Sequence, residues 1–177
     1  MVALVALVGC TASGDKIGPL GGPGDPGQIC NPLRPGQVLS YGFTGIRNSG
    51  HSTVMIDRVG LADIRGLKVI AAYVVPGTSR FLYGSAYGYP PVRPLPSGID
   101  WAARQRADGA KLPPMKLSQE DSLLLVIKPI GHRGAASGVD IWYHADGQHY
   151  HLKTSTSLVT FDRRACAEPH PVRSSVA

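Results

Sequence analysis

The chain has 177 residues, 43% of them hydrophobic, which is enough for one domain with a sizeable core and excludes a wholly disordered chain. Charged residues make up only 17%, and 22 glycines and 15 prolines punctuate the sequence, a profile that suits short strands joined by many turns. The formal charge of +6 favours anionic surroundings such as phospholipid headgroups or wall polymers, but the basic residues are scattered apart from Arg163-Arg164, so no nucleic-acid partner is expected.

Met1 to Gly9 is uncharged and, apart from glycine, apolar; Leu7-Val8-Gly9-Cys10 closes it. This stretch resembles the lipobox of bacterial exported lipoproteins, in which small residues precede a cysteine that becomes lipidated. Thr11-Ala12-Ser13-Gly14-Asp15 is similar to the polar tether that follows such a cysteine. The resemblance implies a signal segment over residues 1–10, lipidation at Cys10, and attachment to the cell membrane on its extracytoplasmic face. The apolar run is short for a signal segment and no Lys or Arg leads it, so the true start is expected upstream. A transmembrane helix needs about twenty apolar residues, and no such run occurs. In an exported protein, Cys30 and Cys166, which flank the strand-rich region, are expected to form a disulfide. Closing a loop that long contributes about 2–4 kcal/mol.

Residues 11–36 read as a linker. Gly18-Pro19-Leu20-Gly21-Gly22-Pro23-Gly24-Asp25-Pro26-Gly27 is poorly suited to a helix or a ladder, because glycine is too free and proline lacks a donor. Gly22, Gly24 and Gly27 match G-x-G-x-x-G in spacing but neither follow a strand nor open a helix, so no dinucleotide site is expected.

The folded domain is expected over residues 37–166. Leu39, Tyr41 and Phe43 alternate with polar or small residues, as in a half-buried strand. The next strand, Ser52 to Leu61, is expected to put Val54 and Ile56 on one face and Met55, Asp57 and Val59 on the other. Leu67 to Val75 is a continuous apolar run of strand length, ended by Pro76-Gly77. Residues 78–98 are expected to hold an edge strand in part and a proline-rich loop for the rest, and their Tyr83, Tyr87 and Tyr89 either cap the core or present a ligand surface. Asp100 is a candidate N-cap for one short helix over residues 99–107, anchored by Trp101. Leu123 to Ile127 is the most hydrophobic strand; Thr154 to Phe161 is expected to extend the hairpin before it, and residues 167–177 read as a disordered tail. About seven short strands and at most one short helix predict an all-β antiparallel β-sandwich, resembling an Ig-like arrangement, with a small closed barrel as the alternative.

The most informative stretch is Gly138 to Leu152. Asp146-Gly147 is a strong type I′ hairpin signal. It pairs His144 with His149, Tyr143 with Tyr150, Trp142 with His151 and Asp140 with Lys153. Ile141, Tyr143, Tyr150 and Leu152 then share the core face, and Trp142, His144, His149 and His151 share the other. Three imidazoles at His144, His149 and His151 are a candidate site for Zn²⁺ or Cu²⁺ with an open position, Asp140 lending support from behind. No G-x-S-x-G, H-E-x-x-H or P-loop is present, and the carboxylates stand in no suggestive context, so an enzyme is not expected. The expected function is a non-catalytic domain displayed at the cell surface, binding a protein or cell-wall ligand, with metal binding through the histidine face as the alternative.

Overall fold

A computed structural model describes residues 18–22, 26–77, 83–91, 100–116 and 119–162. Thirteen strands lie among them: β1 (Leu20–Gly21), β2 (Gly27–Pro32), β3 (Leu39–Asn48), β4 (Val54–Ala62), β5 (Leu67–Val75), β6 (Gly84–Tyr87), β7 (Gln105–Arg106), β8 (Lys111–Leu112), β9 (Asp121–Pro129), β10 (Arg133–Ala136), β11 (Gly138–Ala145), β12 (Gln148–Lys153) and β13 (Thr156–Phe161). The fold class is the expected one, an all-β antiparallel sandwich, with no helix among the described residues. Accordingly, no helix there is long and apolar enough to cross a membrane.

One layer is the sheet β1-β3-β9-β5-β7, with β6 also paired to β3. The facing layer is built from β12-β11-β4-β8 and β10-β13-β2. Tyr41, Ile46, Leu123, Leu125 and Ile127 from the first layer meet Val54, Ile56, Ile141, Tyr143 and Leu158 from the second in one buried cluster. Hydrophobic burial on this scale, about 25 cal/mol per Å² of apolar surface, is what holds the layers together.

The apolar run of β9 is explained by burial on both faces. Leu123, Leu125 and Ile127 point into the main core, while Leu124 lies in a second cluster with Val75, Tyr83 and Ala86. A strand covered on both sides has no polar face to alternate. Its first residue, Asp121, is only 8% exposed and accepts a hydrogen bond from the Gly77 N–H at 3.2 Å.

Four expectations are corrected. The linker over residues 11–36 is in part folded, since Leu20–Gly21 pairs with β3 and Gly27–Pro32 pairs in parallel with β13. Both sit at sheet edges, where Pro32 can close a strand without breaking an inner ladder. Gly18 lies so close to Tyr143 and Tyr150 that a Cβ there would collide with the Tyr143 hydroxyl and the Tyr150 ring, so its missing side chain admits the chain to the core edge. Thr156–Phe161 does not extend the hairpin but crosses to β10 and β2. The expected helix is one turn, in which Asp100 Oδ1 accepts the Ala103 N–H at 3.1 Å before the chain pairs with β5 as β7. Val59 faces inward rather than outward, because an irregularity in the pairing of β4 with β11 resets the alternation before it. The lipidation site Cys10, Cys166 and residues 167–177 lie outside the described residues. Cys30, half-buried on β2, is not a free thiol.

Two outcomes test this packing. Tyr143 is 1% exposed and its hydroxyl accepts the Leu20 N–H at 3.4 Å; Tyr143→Ala is expected to cost about 3–5 kcal/mol in urea unfolding, against under about 0.5 kcal/mol for the surface change His149→Ala. Burial raises the Asp121 carboxyl above its usual range, against a smaller lowering by the Gly77 N–H. Protons therefore bind the folded state more tightly, and this contribution to stability, full below the unfolded value, is lost as pH rises through the raised one. Asp121→Asn keeps the acceptor and is expected to melt higher than the wild type at pH 7, with the gap closing in acid; a lower melting temperature at pH 7 would count against this account.

Candidate functional site

The candidate site lies on the outer face of the four-stranded sheet. Asp146 and Gly147 form the hairpin turn with φ of 50° and 73°, and Ser52 Oγ donates to Asp146 Oδ2 at 2.7 Å, pinning the turn to the approach to β4. β11 and β12 pair in the register Trp142↔His151, Tyr143↔Tyr150 and His144↔His149. Tyr143 and Tyr150 stack at 5.3 Å on the core side. His144 and His149 stand opposite each other on the outer side, with ring centroids 5.4 Å apart.

A β-bulge completes the arrangement. β4 pairs Arg58 with Trp142 but Ile56 with Tyr143, so Asp57 has no partner across the strand gap. The extra residue turns two consecutive side chains, Asp57 and Arg58, to the same outer face and resets the alternation beyond them. That is why Val59, opposite Ile141, packs on the core. Asp57 reaches His144 Nδ1 with Oδ1 at 2.6 Å and His149 Nδ1 with Oδ2 at 3.4 Å. One carboxylate thus spans two imidazoles, and one ligand atom from each of Asp57, His144 and His149 lies within 4.8 Å of the others. His149 is 81% exposed at its side chain, whereas Asp57 and His144 are about one-third exposed.

His151 is not part of this group. It stacks on Trp142 at 4.9 Å and its Nε2 contacts Asp140 Oδ1 at 2.8 Å, while Arg58 lies 3.8 Å over the other contact surface of the indole. Trp142 separates the two ends of the face, so the expected ligand trio loses His151 and gains Asp57. Asp57 escaped the sequence reading because a bulge leaves no signature in strand periodicity. Met55 also escaped it: it is the cross-strand partner of His144 and so places a thioether on the same face. Asp140 and Lys153 pair across the strands as expected, and the Lys153 ammonium bonds Asp63 at 2.9 Å. Ser137 and Lys153 together lower the Asp63 carboxyl, and Asp63 in turn raises the Lys153 ammonium.

The three loop tyrosines do not form one ligand surface. Tyr83 is 6% exposed and belongs to the cluster over Leu124; burial pushes its phenol up to about 12. Tyr89 stacks on Tyr73 at 5.2 Å and meets Trp101 edge-on at 6.0 Å. Tyr87 is exposed, its hydroxyl donating to the Pro32 carbonyl at 2.8 Å. Capping of the outer face of β9 is the arrangement found for Tyr83 and Tyr89, because Leu124 and Val126 need cover there.

No protein-family model matches the chain, and no curated protein matches it. Among solved structures, it is similar to the ASH / PapD-like domain of human CEP192 (PapD-like domain 7), at 14% identity over 93% of this chain and 99% of that one, with a TM-score of 0.40. A likeness at that level carries no argument about function.

The two tyrosine environments give a direct test. Tyr83→Ala is expected to destabilise the domain by about 3 kcal/mol or more, and Tyr87→Ala by about 1 kcal/mol or less, the value of one exposed hydrogen bond. Equal losses in denaturant unfolding would contradict the assignment of Tyr83 to the core.

Proposed function

We propose that the protein is a non-catalytic binding domain carried on the outer face of the cell membrane by a lipid on Cys10, and that its ligand is a divalent transition-metal ion, Cu²⁺ ahead of Zn²⁺. The observation that supports the metal reading is the convergence of Asp57, His144 and His149 donors within 4.8 Å. Two imidazole nitrogens and a carboxylate form a borderline-hard donor set suited to either metal. The affinity order of divalent ions puts Cu²⁺ first, and the Met55 thioether beside His144 favours copper further, above all in its reduced state. Ligand atoms about 2 Å from a shared ion stand closer together than 4.8 Å, and rotation of the exposed His149 ring supplies the closure.

Each residue has a distinct part. His144 and His149 offer lone pairs from facing strands, so the ion would clamp the hairpin. Asp57 supplies the compensating charge, and the bulge holds it between them. Three protein ligands leave positions open, which suits capture and release rather than a closed structural site. Protons compete with the ion for the same lone pairs, so affinity falls as pH falls.

Thermal unfolding with added Cu²⁺ tests the site. Wild type is expected to gain about 2.7 kcal/mol at a free concentration one hundred times Kd; Asp57→Ala and His149→Ala lose that gain, and His151→Ala keeps it. Met55→Leu is expected to weaken Cu⁺ more than Zn²⁺. A wild-type gain that Asp57→Ala and His149→Ala fully retain would remove the site. The address is tested separately: a fatty-acid probe should label the exported protein and not Cys10→Ser, and non-reducing mass spectrometry of envelope material should find Cys30 linked to Cys166.

A further inference from the structure

A second feature lies away from the histidine face, where the turn before β5 meets β10. Arg65 and Ala135 form an antiparallel bridge, exchanging N–H···O bonds of 2.8 Å and 2.9 Å. Along β10 the side chains alternate, so Arg133 and Ala135 face outward while Ala136 enters the core. Arg65, opposite Ala135, therefore stands diagonal to Arg133 on one outward face, the relation in which cross-strand side chains still reach each other. The residue between the two guanidinium groups is an alanine, and a cleft of about 330 Å³ opens there, lined by Arg65, Arg133, Gly134 and Ala135.

The backbone is built to bring these segments together. Gly66 has φ of 62°, and a Cβ on it would run into the Arg133 carbonyl oxygen. A Cβ on Gly134 would strike Leu67 and Thr160. Both glycines are thus required by close approach, and that approach sets the two arginines side by side. Arg133 is steadied by Phe161, its cross-strand partner, whose ring centroid lies 5.3 Å from the guanidinium carbon.

The charges here are unbalanced. Among the described residues neither Arg65 nor Arg133 makes an ion pair. Asp63, two positions before Arg65, is bonded to Ser137 and Lys153 instead. Like charges held this way repel, and an anion between them would reverse the sign of the interaction.

We propose that the Arg65–Arg133 cleft is a binding site for a phosphate group. Guanidinium forks match the paired oxygens of a phosphate, and two monovalent cations balance the roughly −1.5 to −2 charge of a phosphate monoester. Two exposed aliphatic side chains belong to the neighbouring chain segments: Ile64 at 42%, which precedes Arg65, and Ile130 at 72%, whose N–H bonds the Gly66 carbonyl. The ligand is therefore a phosphate on a free anion or on an amphiphile whose apolar part rests on those isoleucines. The site is independent of the metal reading.

Isothermal titration with inorganic pyrophosphate, and co-sedimentation with vesicles of phosphatidylcholine containing or lacking phosphatidylglycerol, test it on the full chain. Wild type is expected to bind at least one of these probes, more weakly as salt rises. The R65Q/R133Q double variant is expected to lose about tenfold or more in affinity, equivalent to about 1.4 kcal/mol, with an unchanged melting temperature. R65K/R133K should recover part of the loss, and Asp57→Ala should bind as wild type. Pyrophosphate binding without vesicle binding identifies a soluble phosphate; binding only to phosphatidylglycerol vesicles, weakened by Ile130→Ser, identifies a lipid headgroup. Binding to neither probe, or equal binding by wild type and R65Q/R133Q, overturns the proposal.

Discussion

The outer face of the four-stranded sheet depends on one backbone irregularity. Without the bulge in β4, strict alternation would put Arg58 into the core opposite a core-facing residue of β11 and leave Val59 in water. One inserted residue spares both: Arg58 lies on Trp142, Val59 packs with Ile141, and Asp57 is left over between two imidazoles. The penalty for burying an unpaired guanidinium, several kcal/mol in effect, far exceeds the loss of one ladder pair. The same constraint that protects the core therefore also creates the candidate metal site.

A second constraint acts on the opposite layer. β9 is apolar throughout its middle, so its outer face must be covered, and the segment around residues 83–91 with Trp101 supplies the cover. Tyr83 and Tyr89 are used in that cover, their rings interlocked with Tyr73 and Trp101. Arg104 and Arg106 lie over Trp101 and Tyr73, so the cluster turns cations rather than bare rings toward solvent. The aromatic residues that looked available in the sequence are thus largely consumed by structure, and the chemistry that remains free sits on β-strand faces instead.

Local signals were legible where a short-range rule governs. Asp146-Gly147 requires positive φ at both positions, and once the turn is set the period of two assigns every side chain of β11 and β12 to a face. The hydrophobic run of β9 likewise identifies a buried strand, and the density of turn residues identifies an all-β chain. What was not legible depends on partners remote in sequence. Leu20–Gly21 and Gly27–Pro32 carry almost no strand propensity and are ordered only because β3 and β13 offer open edges. Thr156–Phe161 leaves the hairpin because β10 and β2 compete for it, which no local pattern encodes.

The site divides the same way. Sequence alone determined that His144 and His149 face each other, because a two-residue turn leaves no freedom in register. Only the tertiary structure decided that Asp57, 87 residues from His144, lies against these imidazoles and that His151 is spent on Trp142 and Asp140. It likewise decided that Arg65 and Arg133, alike and unremarked in the sequence, flank one cleft. Turn chemistry acts over two residues and is written in them; strand pairing and bulges are set by the balance of burial across the whole core, which exists only once distant segments have met.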